Sequence, residues 1–168
     1  MRIVDLNQTN IWLHNKCLLD SNGNLTLVGY KEFARYAIPN DCGQKTALAK
    51  VIATFFQKEP EALLWINEFG IWPSCEDCNL FLGFRKSLGE TSSLYEKPGH
   101  LFSGDDIETV ASLLSIVLYF FWGAVLIPAS KKYSVKISHD EVVTILALKK
   151  GDVKEQLVAL ERIIKSAS

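Results

Sequence analysis

Charge of one sign is what this sequence most plainly lacks. Lysine and arginine number 18 and aspartate and glutamate 19 in 168 residues, and nowhere do five like charges run together. A protein that holds nucleic acid by its phosphates concentrates basic residues on one face, so nucleic acid is not an expected partner. Missing too are a Gly-rich phosphate loop, a Gly-x-Ser-x-Gly elbow and a His-Glu-x-x-His helix, which excludes the familiar hydrolase and kinase designs. Histidine occurs three times and cysteine four. One close cysteine pair falls short of the two that a structural zinc site asks for, and no cofactor or metal is expected.

The first residues, Met1-Arg2-Ile3-Val4-Asp5, place an acid where a signal peptide has its apolar run. The expectation is therefore a cytoplasmic protein with reduced thiols. One long apolar stretch does occur, Val110 to Ile127, broken only by Ser112, Ser115 and Gly123. It approaches the roughly 20 residues of a membrane span, but Gly123 is a natural helix stop and Ala124-Val125-Leu126-Ile127-Pro128 reads as a strand. A buried helix followed by a strand is the expectation, and no membrane partner.

Nearly half the residues are hydrophobic, enough at this length to bury about 70% of the unfolded surface around one core. One globular domain over residues 1–168 is predicted, without repeats or linkers. Ser21-Asn22-Gly23-Asn24 between two apolar runs predicts a hairpin of strands at 17–19 and 25–28. Tyr30 to Ile38 continues the sheet until Pro39. Asn40 or Asp41 then caps a helix with Ala47, Leu48, Val51, Ile52 and Phe55 on one stripe. Leu63 to Phe69 reads as a buried strand. Ser74 and Asp77 have capping-box spacing for a helix over 75–88, stopped at Gly89.

The stretch 90–102 has no period and contains Pro98-Gly99, so it reads as a long loop, a common home of function. Ser103 and Asp106 repeat the cap signature before the apolar helix. Strands follow at 124–128 and 133–138, a hairpin with one wet face. Ser138 with Glu141 predicts the start of a helix that ends at Gly151, and Asp152 to Glu155 opens the last helix, with Val153, Leu157, Leu160 and Ile164 on one side. This element order predicts an α+β fold: an antiparallel sheet with hairpins, packed against a buried central helix and further amphipathic helices.

Chemistry-bearing groupings are few. Cys75-Glu76-Asp77-Cys78 resembles a thiol redox site at a helix start, but the two acids between the cysteines favour the protonated thiol; plain burial is the other reading. His100, and His139-Asp140-Glu141, are candidates for acid–base or metal chemistry, because histidine titrates near neutrality. Capping by Ser138 and Glu141 is the competing explanation of the second group. Trp72, Glu76, Arg85 and Glu90 flank the helix 75–88 and the following loop, and tryptophan and arginine dominate binding hot spots; core packing of Trp72 and simple pairing of Arg85 are the alternatives.

Ile71-Trp72-Pro73-Ser74, Arg85-Lys86-Ser87-Leu88-Gly89-Glu90, Pro98-Gly99-His100-Leu101-Phe102 and Ser138-His139-Asp140-Glu141 together resemble a family of small uncharacterised bacterial proteins, over about residues 30–141. The resemblance implies a bacterial source and attaches no activity. Cys75-Glu76 departs from the uncharged or acidic residue that follows Trp-Pro-Ser in that family. The functional expectation is a non-catalytic protein-binding protein, with a toxin inhibitor of the immunity-protein kind as its concrete form. Its binding face would gather Trp72, Glu76, Arg85, Glu90, His100, His139, Asp140 and Glu141. The alternative is an enzyme or metal-binding protein using His100, His139, Asp140 and Glu141, with Arg85 as an anion contact.

Overall fold

In the computed structural model, which describes residues 1–16, 18–71 and 76–165 and their side chains except those of 163–165, the chain begins β1 (Arg2–Val4), α1 (Leu6–Asn15), β2 (Lys31–Ala37), α2 (Cys42–Thr54), β3 (Ala62–Glu68) and α3 (Cys78–Ser87). It continues β4 (Gly99–Phe102), α4 (Ile107–Tyr119), β5 (Gly123–Pro128), β6 (Tyr133–Ser138), β7 (Val142–Ala147) and α5 (Lys154–Lys165). Among the described residues the strands form one antiparallel sheet in the order β1-β4-β3-β5-β6-β7-β2. The fold is α+β, and no described helix is long and apolar enough to cross a membrane.

Side chains alternate across a strand, and here the two faces bury different things. One face gives Leu64, Ile66, Leu126, Val135 and Ile145 to the main core with α2 and α4; the other gives Leu63, Leu101, Val125 and Ile127 to a smaller core with Trp12 and Leu13 of α1. The central strands are thus covered on both sides, which is why β5 reads as a nearly unbroken apolar run. Gly99 belongs to this arrangement, since Thr9 of α1 occupies the place a β-carbon there would take.

Local signals fix the ends of elements. Asp41 caps α2 by accepting the Gln44 N–H at 2.9 Å. Asp106 accepts the Ser103 N–H at 2.9 Å in the box that leads into α4. After α3, Gly89 takes φ +85°, Gly89 N–H bonds Lys86 O, and Glu90 N–H reaches back to Arg85 O. That is the pairing that closes a helix on a left-handed residue.

Several expectations need correction. Residues 1–15, for which the sequence gives no assignable element, form β1 and α1, the latter capped by a reciprocal Asp5–Gln8 pair. The hairpin at 17–28 reduces to a turn with Gly23 at φ +79° and one bridge, Leu19 to Leu25, because both flanks pack on the small core instead of extending. Helix α3 starts at Cys78 with Asp77 accepting from Asn79 and Leu80 N–H groups; Cys17, Trp72, Ser74 and Cys75 lie outside the described residues.

The expected loop 90–102 ends as β4, whose four residues are all buried between β1 and β3. The 124–138 hairpin has little wet face: every residue of β5 is buried, and so is Ser134, whose hydroxyl bonds Leu126 O. Helix α2 buries Lys45, Leu48, Ala49, Ile52 and Ala53, a stripe rotated from the expected one. Ser138 starts no helix. It ends β6, and residues 139–141 turn the chain into β7, because Val142 to Ala147 alternates inward and outward as a strand. Gly123 is not the stop of α4 either: Phe121 takes the left-handed position, φ 53°, with Trp122 N–H bonded to Val117 O.

Candidate functional site

Of the eight residues marked out in the sequence, Trp72 lies outside the described residues, and the other seven fall in or beside two regions. In the first, α3 presents Arg85 and Phe81 inward over β4, which contributes His100. Arg85 and His100 are 0% exposed and Trp122, from the strand start after α4, 1%. Phe81 joins them: its ring centroid lies 6.2 Å from that of His100 and 5.2 Å from that of Trp122, both edge-on, and 5.7 Å from the Arg85 guanidinium carbon.

Several polar atoms of this region are unmatched. Arg85 Nη2 donates to Lys97 O at 2.9 Å, whereas Arg85 Nε and Nη1 and Trp122 Nε1 have no hydrogen-bond partner; the His100 ring lies against the backbone of Leu64 and Pro98. Burial and then the Arg85 charge push the His100 pKa down to about 3, so the imidazole is neutral at pH 7. Burial lowers the Arg85 pKa and Glu90 opposes it, but a guanidinium stays protonated in proteins. Glu90 lies at the edge, accepting from Lys97 Nζ at 2.7 Å and from Ser92 N–H at 2.7 Å. The Lys97 bond chiefly holds its pKa down at about 2.

The second region is the β6–β7 turn. His139 Nδ1 donates to Glu68 Oε2 at 2.9 Å, its Nε2 lies 3.5 Å from Asp140 Oδ1, and the three side chains are 35%, 40% and 70% exposed. The Glu68 hydrogen bond is the main cause of a raised His139 pKa. Ser138 Oγ accepts the Asp140 N–H at 3.2 Å and donates to Asp140 Oδ2 at 3.1 Å, so the serine organises a turn rather than a helix. Glu141 stands at φ 62°, and its carbonyl accepts the Ile38 N–H at 2.8 Å. Nearby, Lys45 is buried with Nζ 3.9 Å from the Phe121 ring centroid, a contact that offsets the left-handed strain at Phe121.

These regions do not share a surface. His100 pairs with Leu64 in the register of β4 on β3, while His139 bonds Glu68 at the end of β3; four residues along a strand separate those points by about 13 Å. An active site that joins His100 to His139, Asp140 and Glu141 is therefore not formed, and His100 and Arg85 are closed to a protein partner by burial. Glu76 does adjoin the turn's neighbourhood, its carboxylate accepting the Gly70 N–H two residues beyond Glu68 at 2.9 Å. Among the described residues no group of three His, Cys, Asp or Glu is arranged to hold a metal.

Sequence reasoning missed Glu68 and Trp122. Glu68 had a signal in Gly123, which lies opposite it and leaves room for its carboxylate; Trp122 had none, since it sits in an apolar run. Comparison with family models, curated proteins and solved structures gives no match, so the two regions are read from their own chemistry.

Proposed function

We propose that this protein binds another protein without catalysing a reaction, in the bacterial cytoplasm, and that its concrete form is an immunity protein neutralising a toxin. The observation that carries this reading is the exposed turn, where Glu68, His139 and Asp140 hold one another in place and Glu141 follows in a fixed left-handed conformation. Acids already immobilised lose little conformational freedom on binding, which favours affinity. Acidic groups presented this way complement a basic partner surface and speed its approach.

The test is calorimetric titration with the protein encoded by the adjacent gene, purified in inactive form. Tight binding is expected, weakened at least about tenfold by Glu141→Lys or Asp140→Lys with the fold retained, the usual scale for a charge at an interface. Binding that both substitutions leave unchanged would remove the turn from the interface, and no binding at all would leave the immunity reading without support.

A further inference from the structure

Lys45 is a buried cation that, unlike Arg85, opens onto a cleft. It lies in the first turns of α2 at 6% exposure, and among the described residues its amine has neither a hydrogen-bond nor an ion-pair partner. Its neighbours are aromatic: Nζ stands 3.9 Å from the Phe121 ring centroid and 5.6 Å from that of Tyr119. Burial, the largest effect, lowers the Lys45 pKa, and Cys42 and Glu141 oppose it through space without bonding to the amine. A lysine kept from water and from carboxylates is the form in which the amine serves as a nucleophile.

The cleft that Lys45 lines has about 260 Å³ and lies where α2, α3 and α4 meet. Leu80 of α3 and Ile116 and Tyr119 of α4 give it an apolar wall, and neither a carboxylate nor a second cation lines it. Leu80 and Tyr119 are 53% and 52% exposed, so solvent and solutes reach it. The hydroxyls of Thr46 and Ser115, also in the lining, donate to Cys42 O at 3.0 Å and Ala111 O at 2.8 Å, so their protons are spent within their own helices. Sites for drug-sized ligands run to roughly 300–1,000 Å³, so this one takes a small molecule.

From these observations we infer that Lys45 is a covalent binding site for a small uncharged aldehyde or ketone with an alkyl body, held as an imine in the α2–α3–α4 cleft. The Lys45 nitrogen gives its lone pair to the carbonyl carbon, the carbonyl oxygen takes up a proton to form a carbinolamine, and water leaves as the C=N bond forms. No oxidant or reductant enters. A protonated imine carries the same single positive charge as the ammonium, so the Phe121 and Tyr119 rings that attract the one attract the other. The alkyl body lies against Leu80 and Ile116, where its burial opposes hydrolysis by removing it from water. An anionic carbonyl compound finds no second cation to receive its charge. None of this depends on the partner-binding reading.

The experiment treats the full chain at pH 7 with limiting hexanal and cyanoborohydride, which reduces an imine to a stable secondary amine, and maps the modified lysines by peptide mass spectrometry. Lys45 is expected to be modified at least about tenfold faster than any exposed lysine, a barrier difference of about 1.4 kcal/mol. Leu80→Asp, at an exposed position, should reduce that preference several-fold. Cys42→Ser should leave it unchanged, and glyoxylate in place of hexanal should show none. Modification of Lys45 at or below the rate of the exposed lysines would overturn the site, as would a preference untouched by Leu80→Asp. Loss of the adduct in Cys42→Ser would make the thiol the nucleophile and overturn the assignment to Lys45. Equal selectivity with glyoxylate would overturn the uncharged alkyl class. Should a variant not fold, the hexanal and glyoxylate maps of the unaltered protein decide the matter.

Discussion

The Arg85–His100–Trp122 cluster and the Glu68–His139–Asp140 turn use similar side chains under opposite conditions. In the turn Glu68, His139 and Asp140 are paired with one another and exposed to water, so these interactions are individually weak and their value lies in display. In the cluster the groups are buried and Arg85 Nε and Nη1 and Trp122 Nε1 have no partner, so each of these carries a cost. The contrast teaches that polarity of sequence is a poor guide to function here. The acid–base candidates contiguous in sequence, His139 and Asp140, are paired, whereas the cluster divided between a helix and a strand leaves Arg85 nitrogens unpaired.

Acid should separate the regions most strongly. The folded pKa of His100 is lowered to about 3, so the unfolded chain takes up the proton first, near pH 6.5. Stability is full above that pH and falls as pH drops toward 3, on the order of 4 kcal/mol from this residue as an upper bound. Glu90, held down at about 2, adds a loss in the same direction below the ordinary carboxylate range. His139 has the opposite sign: with its pKa raised, its contribution is present in acid and lost as pH rises through the folded value. Urea denaturation between pH 7 and pH 4 checks this. His100→Leu should flatten the acid slope and His139→Ala should not, and equal slopes in all three proteins would erase the distinction.

A smaller effect sharpens the turn. Gly123→Ala places a methyl group where the Glu68 side chain lies against β5, and overpacking of this kind costs about 1–3 kcal/mol. Pushing Glu68 away also removes the main cause of the raised His139 pKa, so an NMR titration should find that pKa lowered toward its ordinary value. An unchanged His139 titration would show that Glu68 is not what sets it.

What the sequence disclosed depended on whether one principle acted alone. Strands β3, β5 and β6 and helices α2 and α4 were legible because apolar runs and caps agreed, as with Asp41 before Leu48 and Ile52. Helix α1 was not, although Asp5 and Gln8 carry its capping signature, because its apolar anchors Trp12 and Leu13 are few. Residues 99–102 hid a strand because a segment buried on both faces has no alternation to detect. Ser138 and Glu141 misled because the same spacing serves a cap and a tight turn, and only the β-branched run Val142-Val143-Thr144-Ile145 favoured a strand. Of the site, Arg85 and His100 were visible as residue types, but their burial and their meeting through Phe81 depended on sheet register.

Arg85 is kept buried with two of its three guanidinium nitrogens unpaired, at a cost to stability. The most direct test of that cost is the urea-denaturation free energy of Arg85→Met against the parent protein. Arg85→Met is expected to be as stable as the parent or more stable by about 1–4 kcal/mol, as when apolar residues replace buried charge elsewhere. A loss of about 3 kcal/mol or more would contradict this, because Arg85 would then be a satisfied structural residue.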